Sequence, residues 1–172
     1  MADTVPVAHP RDDQAKAVRD VLFTFGRSVY LYQQIEVLLK VLLPHIKYTN
    51  GPIPDDPFAE MKLLLGSRET IGPLVERLKK SMEVTHPEGL AGYLEKVVKN
   101  RNELIHSFIK LPFGNLASTI SCREALSYLE SRYRFAEPLM QLLRELLSTF
   151  VSLLNENDLE IAGERPVHEN EP

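Results

Sequence analysis

From Asp13 to about Leu43, apolar residues return in alternating steps of three and four: Leu22, Phe25, Val29, Tyr32, then Leu39 and Leu43. The one missing step falls on Glu36. This is the period of a helix held for about eight turns, with none of the strict alternation of a strand. Asp12 or Asp13 supplies a cap at its start. Val21, Leu31, Ile35, Leu38 and Leu42 lie beside the main stripe. The resulting apolar face is wide, and the expectation is that a second subunit covers the surplus.

The rest of the chain is punctuated by turn formers. Pro44 is expected to end or kink the first helix, and Tyr48 to Pro57 reads as a loop. Asp56-Pro57 is a cap followed by proline in the first helical position, opening a short helix from Phe58 to Leu65 that stops at Gly66. Leu74, Leu78 and Met82 phase a further helix over about 69–82, with Pro73 tolerated in its first turn. Thr85-His86-Pro87-Glu88 reads as a capping box for a helix to about Ile109, striped by Leu90, Leu94, Val97, Leu104 and Phe108. Ser121-Cys122-Arg123-Glu124 reads as another, opening a long helix to about Leu154 with a kink near Pro138. The expected fold is all-α: an up-and-down bundle of four to five helices. Residues 1–12 are read as a flexible N-terminus, 13–155 as the helical bundle and 156–172 as a disordered acidic tail.

Charge sharpens this division. The chain has 172 residues and a formal net charge of -4. The tail from Glu156 carries six acids against Arg165, and the lead-in to Asp13 carries three acids against Arg11. The bundle between them is therefore slightly basic, which permits a polyanion such as RNA as partner. No apolar run is long enough for a membrane span, and Met1 to Asp13 holds no apolar leader segment. With one cysteine, Cys122, no internal disulfide can form. The expected setting is cytoplasmic, without a membrane.

Most enzyme signatures are missing. There is no glycine-rich phosphate loop and no G-x-S-x-G elbow. The five histidines never pair at metal-ligand spacing, so neither a metal nor a cofactor is expected. Cys122 reads as a small residue near a cap, and the lysine pairs at 79–80 and 96–99 read as solvated helix faces.

One segment stands out: Arg101-Asn102-Glu103-Leu104-Ile105-His106. Asn102 and His106 are four apart and share a helix face. Arg101 falls on the apolar stripe between Val97 and Leu104, where a guanidinium needs a partner. Glu36 occupies the equivalent misplaced position on the first helix, so an ion pair between Glu36 and Arg101 is expected if those helices pack.

The segment resembles the HEPN domain family, marked by Arg, four to six residues and His on a late helix, with a polar residue often following the Arg. The Tyr found two residues after the His in one toxin subgroup is replaced here by Phe108. The resemblance implies a helical bundle that dimerises and brings two such motifs together. It implies a metal-independent endoribonuclease, toxin or defence-like and paired with an antitoxin protein. His106 would be the base, Arg101 the phosphate clamp and Asn102 a positioning residue, with Glu36 supporting. The alternative is a non-catalytic interaction module of the same fold, in which Arg101, Asn102 and Glu36 form a structural network.

Overall fold

A computed structural model describes residues 10–46, 56–81 and 87–163. These residues form five α-helices: α1 Pro10–Ile46, α2 Pro57–Gly66, α3 Ile71–Ser81, α4 Pro87–Ser107 and α5 Thr119–Gly163. A single 3-10 turn, Phe108–Lys110, extends α4. No strand occurs among the described residues, and no helix there is long and apolar enough to cross a membrane.

Side-chain contacts fix the helix directions. Gln14 meets Cys122, Arg27 sits over Tyr133, Gln34 bonds Arg144 and His45 stacks on Phe150, so α1 and α5 run parallel. Tyr93 meets Phe135 while Glu103 meets Arg132, so α4 runs against α5. His45 meets Phe58 and Lys40 meets Ser67, so α2 runs against α1; Lys79–Glu95 and Gly72–Val98 set α3 against α4. Successive helices alternate in direction. The core is built where α1 packs along α5, with Val21, Ile35, Leu39, Leu94, Val97, Leu104, Leu129, Leu139 and Leu143 all sealed from solvent.

The buried face of α1 differs from the expected stripe. Val21, Leu31, Ile35 and Leu42, expected to be surplus, are core, while Leu22, expected to be core, is 59% exposed. Apolar residues surround much of α1, so spacing alone cannot tell which arc faces inward. Glu36 consequently stands at the margin of the buried arc. Its carboxylate takes Lys40 Nζ at 3.4 Å, and Lys40, itself buried, donates to the Ser67 carbonyl at 3.1 Å, just past the end of α2. A cation there satisfies a terminal carbonyl and opposes the negative end of α2.

Helix ends follow local chemistry. Asp56 caps α2 by accepting the Ala59 N–H at 2.9 Å, with Pro57 in the first position. Pro44 does not stop α1, which continues to Ile46; a proline in the final turn forgoes one rung and little more. The capping box of α5 lies three residues earlier than expected. Ser118 Oγ accepts from Ser121 N–H at 3.1 Å while Ser121 Oγ accepts from Ser118 N–H at 2.9 Å. Ser121 thus plays the role that Glu plays in the usual motif. In the preceding turn, a side chain on Gly114 would run into the Phe108 carbonyl, which restricts that position to glycine. α5 is also longer than expected: residues 156–163, read as disordered, are helical. Residues 1–9 of the lead-in, most of the first loop, the Thr85-His86 start of the first capping box and the tail from 164 lie outside the described residues, whereas 10–12 already belong to α1.

Pro138 stands inside α5, and the helix passes through it. Proline removes one N–H and crowds the carbonyl four residues earlier. Here the neighbouring rung is filled from α4. The Tyr93 hydroxyl donates to the Phe135 carbonyl at 3.0 Å and accepts from the Leu139 N–H at 3.2 Å, while its ring packs on Phe135 at 5.1 Å. Tyr93→Phe is expected to destabilise the protein by about 1–3 kcal/mol, the cost of leaving partly buried backbone groups unpaired. Adding Pro138→Ala should recover part of that loss, because the helix can then close its own ladder. Urea denaturation of the two single variants and the double variant checks this; strict additivity would refute the coupling.

At the far end of α1, His45 stacks on Phe150 with centroids 4.1 Å apart and meets Phe58 edge-on at 5.7 Å. Burial holds its imidazole below the ordinary value. The unfolded chain therefore takes up a proton first as pH falls. Stability from this group is complete above about pH 7 and declines as pH drops through about 6.5. His45→Gln should flatten that part of the stability–pH curve, as read by urea denaturation from about pH 7.5 to about pH 5.

Candidate functional site

The Arg101–His106 segment occupies the last turns of α4. Leu104 is fully buried and anchors the segment to the core, and Val97 does the same about two turns earlier. With those positions inward, Asn102 and His106 are exposed on the opposite side. Arg101, by its angle, stands nearer the core and is half-buried. Its head turns into the groove, where Nη1 donates to Asn102 Oδ1 at 3.1 Å.

All three line one groove of about 760 Å³. Glu95, Val98, Lys99, Glu103 and Ser107 complete the α4 wall, and Thr70, just before α3, borders the other side. The structure therefore brings Arg101, Asn102 and His106 together as expected, with the imidazole open to the groove. It does not bring Glu36 to them. Glu36 is engaged with Lys40 on α1, and no ion pair joins it to Arg101.

The carboxylate of this segment that ties α4 to α5 is Glu103. Its Oε2 accepts from Arg132 Nη2 at 3.2 Å and from the Tyr128 hydroxyl at 3.3 Å, both on α5. The Arg132 guanidinium also lies over the Tyr128 ring, 4.6 Å from its centroid. This is a braced cluster: cation–π contact, ion pair and phenol hydrogen bond hold one carboxylate in one place. Burial raises the Tyr128 phenol above its usual range, and does so more strongly for Tyr32 beneath it, against the pull of the Arg132 charge. Both phenols therefore remain protonated; Tyr128 donates to Glu103, while the buried Tyr32 hydroxyl has no hydrogen-bond partner among the described residues. Phe108, at the end of the segment, packs on Phe25 at 5.1 Å and faces Tyr128 and Phe113.

Glu103 sits in plain view between Asn102 and His106, but its partners lie 25 and 29 residues away. The only sequence signal was the Tyr128–Arg132 spacing of four, which places both on one face of α5. Among the described residues, no group of three His, Cys, Asp or Glu side chains gathers closely enough to hold a metal ion.

No family model, no curated protein and no solved structure matches this chain.

The two carboxylates make opposite predictions. A double-mutant cycle on Glu103→Gln and Arg132→Met should show coupling of about 0.5–1 kcal/mol, since both side chains are about one-third exposed and solvent screens the pair. The same cycle on Glu36→Gln and Arg101→Gln should be additive within about 0.3 kcal/mol. Coupling in the second cycle, measured by urea denaturation, would restore the rejected pairing.

Proposed function

We propose that this protein is a metal-independent endoribonuclease of HEPN type. The observation that carries the reading is the groove itself: Arg101, Asn102 and His106 open into it together, with the imidazole exposed. A structural role for the histidine would favour burial instead.

Single-stranded RNA supplies its own nucleophile, so the required chemistry is modest. Neutral His106 accepts the ribose 2′-hydroxyl proton, and the oxygen attacks the adjacent phosphorus. The 5′-oxygen leaves and takes up a proton, giving a 2′,3′-cyclic phosphate and a 5′-hydroxyl. Charge builds on the non-bridging oxygens, where Arg101 acts as a two-pronged donor. Asn102 holds Arg101 at present and is placed to hand it to phosphate. Lys99 adds positive charge to the same wall.

One groove offers a base but no matching acid. A second copy, docked with its own motif against this one, supplies another His106 for the leaving oxygen. Ile105 and Ile109 favour such docking: they are 38% and 82% exposed, one turn apart on the flank beside His106. In this reading the chain acts as a toxin or defence effector, and an antitoxin protein would act by covering the same surface.

Glu103 favours the second reading, a non-catalytic interaction module. Its carboxylate and that of Glu95 line the groove and would repel phosphate, although Arg132 and Lys79 offset much of that charge. His106→Ala separates the two readings. The wild type should cut single-stranded RNA in excess EDTA and leave cyclic phosphate ends. His106→Ala should lower the rate by at least about 100-fold with helicity unchanged, and Arg101→Ala by about 10²–10³-fold. Undiminished cutting by His106→Ala would rule out this mechanism.

A further inference from the structure

The face of α1 turned away from the core carries apolar side chains that nothing else in the described chain covers. Phe23, Tyr30 and Val37 are 73%, 61% and 50% exposed, and Leu22 beside them is 59% exposed. The first three are spaced by seven, with Gly26 and Gln33 between them. That is the three–four alternation of a helix–helix seam.

Gly26 is the second observation. Glycine inside a helix costs roughly 0.5–1 kcal/mol relative to alanine. A Cβ at this position would meet nothing within 4 Å. No contact among the described residues therefore requires glycine here. A bare stretch of backbone on an apolar face suits the close approach of another helix.

The third is shape. Beside the exposed ridge, α1 and α5 leave a groove of about 550 Å³, walled by Tyr30, Val37 and Leu38 on one side and Met140 and Leu147 on the other. Ridge and groove share one face, so the surface can fit a second copy of itself, as a two-fold interface demands.

We propose that α1 pairs antiparallel with α1 of a second copy about a two-fold axis through Tyr30. At that register Phe23 lies opposite Val37 of the partner subunit and reaches the mouth of its groove. Gly26 lies opposite Gln34 of the partner subunit, and Arg27 opposite Gln33 of the partner subunit, so no like charges are opposed. The four exposed side chains offer roughly 400 Å² of apolar surface per copy. Two copies remove about twice that from water, and the polar rim brings the total to the roughly 1,200 Å² at which stable interfaces begin. This contact lies on α1, apart from the α4 groove, and holds whether or not that groove cleaves RNA.

Cross-linking and mass measurement on the full chain test it. Cys122 is fully buried, so an introduced thiol reports on its own position. Tyr30→Cys, placed on the axis, should form a disulfide-linked dimer under mild oxidation, because a two-fold axis brings the two copies of that residue together. Leu63→Cys, on α2 at a position more exposed still, should not. Phe23→Glu should weaken association at least 100-fold and halve the particle mass by light scattering, with helicity retained. The proposal is overturned if the wild type does not self-associate at micromolar concentration. It is also overturned if Phe23→Glu leaves the mass unchanged, or if Leu63→Cys cross-links as readily as Tyr30→Cys.

Discussion

A proline near the middle of a 45-residue helix would ordinarily be a weak point, and here it is the point from which α4 is hung. Tyr93 places one hydroxyl in the disturbed rung beside Pro138, as donor to Phe135 and acceptor from Leu139. The bond needs both helices. α5 needs the hydroxyl because its own ladder is interrupted, and Tyr93 needs the rung because a partly buried phenol must find partners. The other polar tie between α4 and α5 is Glu103 with Arg132 and Tyr128, about 15 Å further along α4 by helical rise. These two fastenings set the rotation of α4 about its axis. That rotation decides that Leu104 points inward and His106 outward.

Rotation of α4 also explains which carboxylate serves the motif. An Arg on an apolar stripe invites a search for a buried partner, and Glu36 fits that pattern in one dimension. In three dimensions Arg101 escapes the stripe by extending its head into the groove, and Glu36 closes a junction between α1 and α2 through Lys40. Glu103, one turn before His106, takes the strong partners instead. The consequence is electrostatic. The groove holds carboxylates already paired with cations, Glu103 with Arg132 and Glu95 with Lys79, and an arginine bonded at its exposed end to a neutral amide. The arginine is the group free to exchange its partner for an anion.

Periodicity and turn chemistry made the number of helices, their approximate ends and the cap at Asp56 legible in the sequence. The motif's shared face was legible too, since positions four apart on a helix need only the helix to be real. Three things were not. The inward arc of α1 was hidden because Leu22, Phe23, Phe25, Val29 and Tyr30 place apolar groups nearly all round the helix. The α5 cap was misplaced because serine took the part usually read from glutamate. The partners of Glu103 and Tyr93 were out of reach because they depend on how two helices pack, which spacing along one chain does not encode.

The groove as it stands on one chain is broad and wet, and this bears on catalysis. A guanidinium and a phosphate oxygen 4 Å apart attract by about 1 kcal/mol in water and about 4 kcal/mol at the effective dielectric of a partly enclosed site. A thousandfold acceleration needs about 4 kcal/mol of transition-state stabilisation. Arg101 in an open groove cannot supply that alone, and the open solvent would also compete for the proton on His106. Something must cover the groove before its charges act at strength. In the proposed reading, bound RNA would cover one side. Exposed Ile105 and Ile109 lie next to the motif without lining the groove, and they offer apolar surface on which a second chain would seat itself to cover the other. Activity in this reading is a property of the closed assembly, and the isolated bundle holds its side chains ready without the low dielectric that would make them effective.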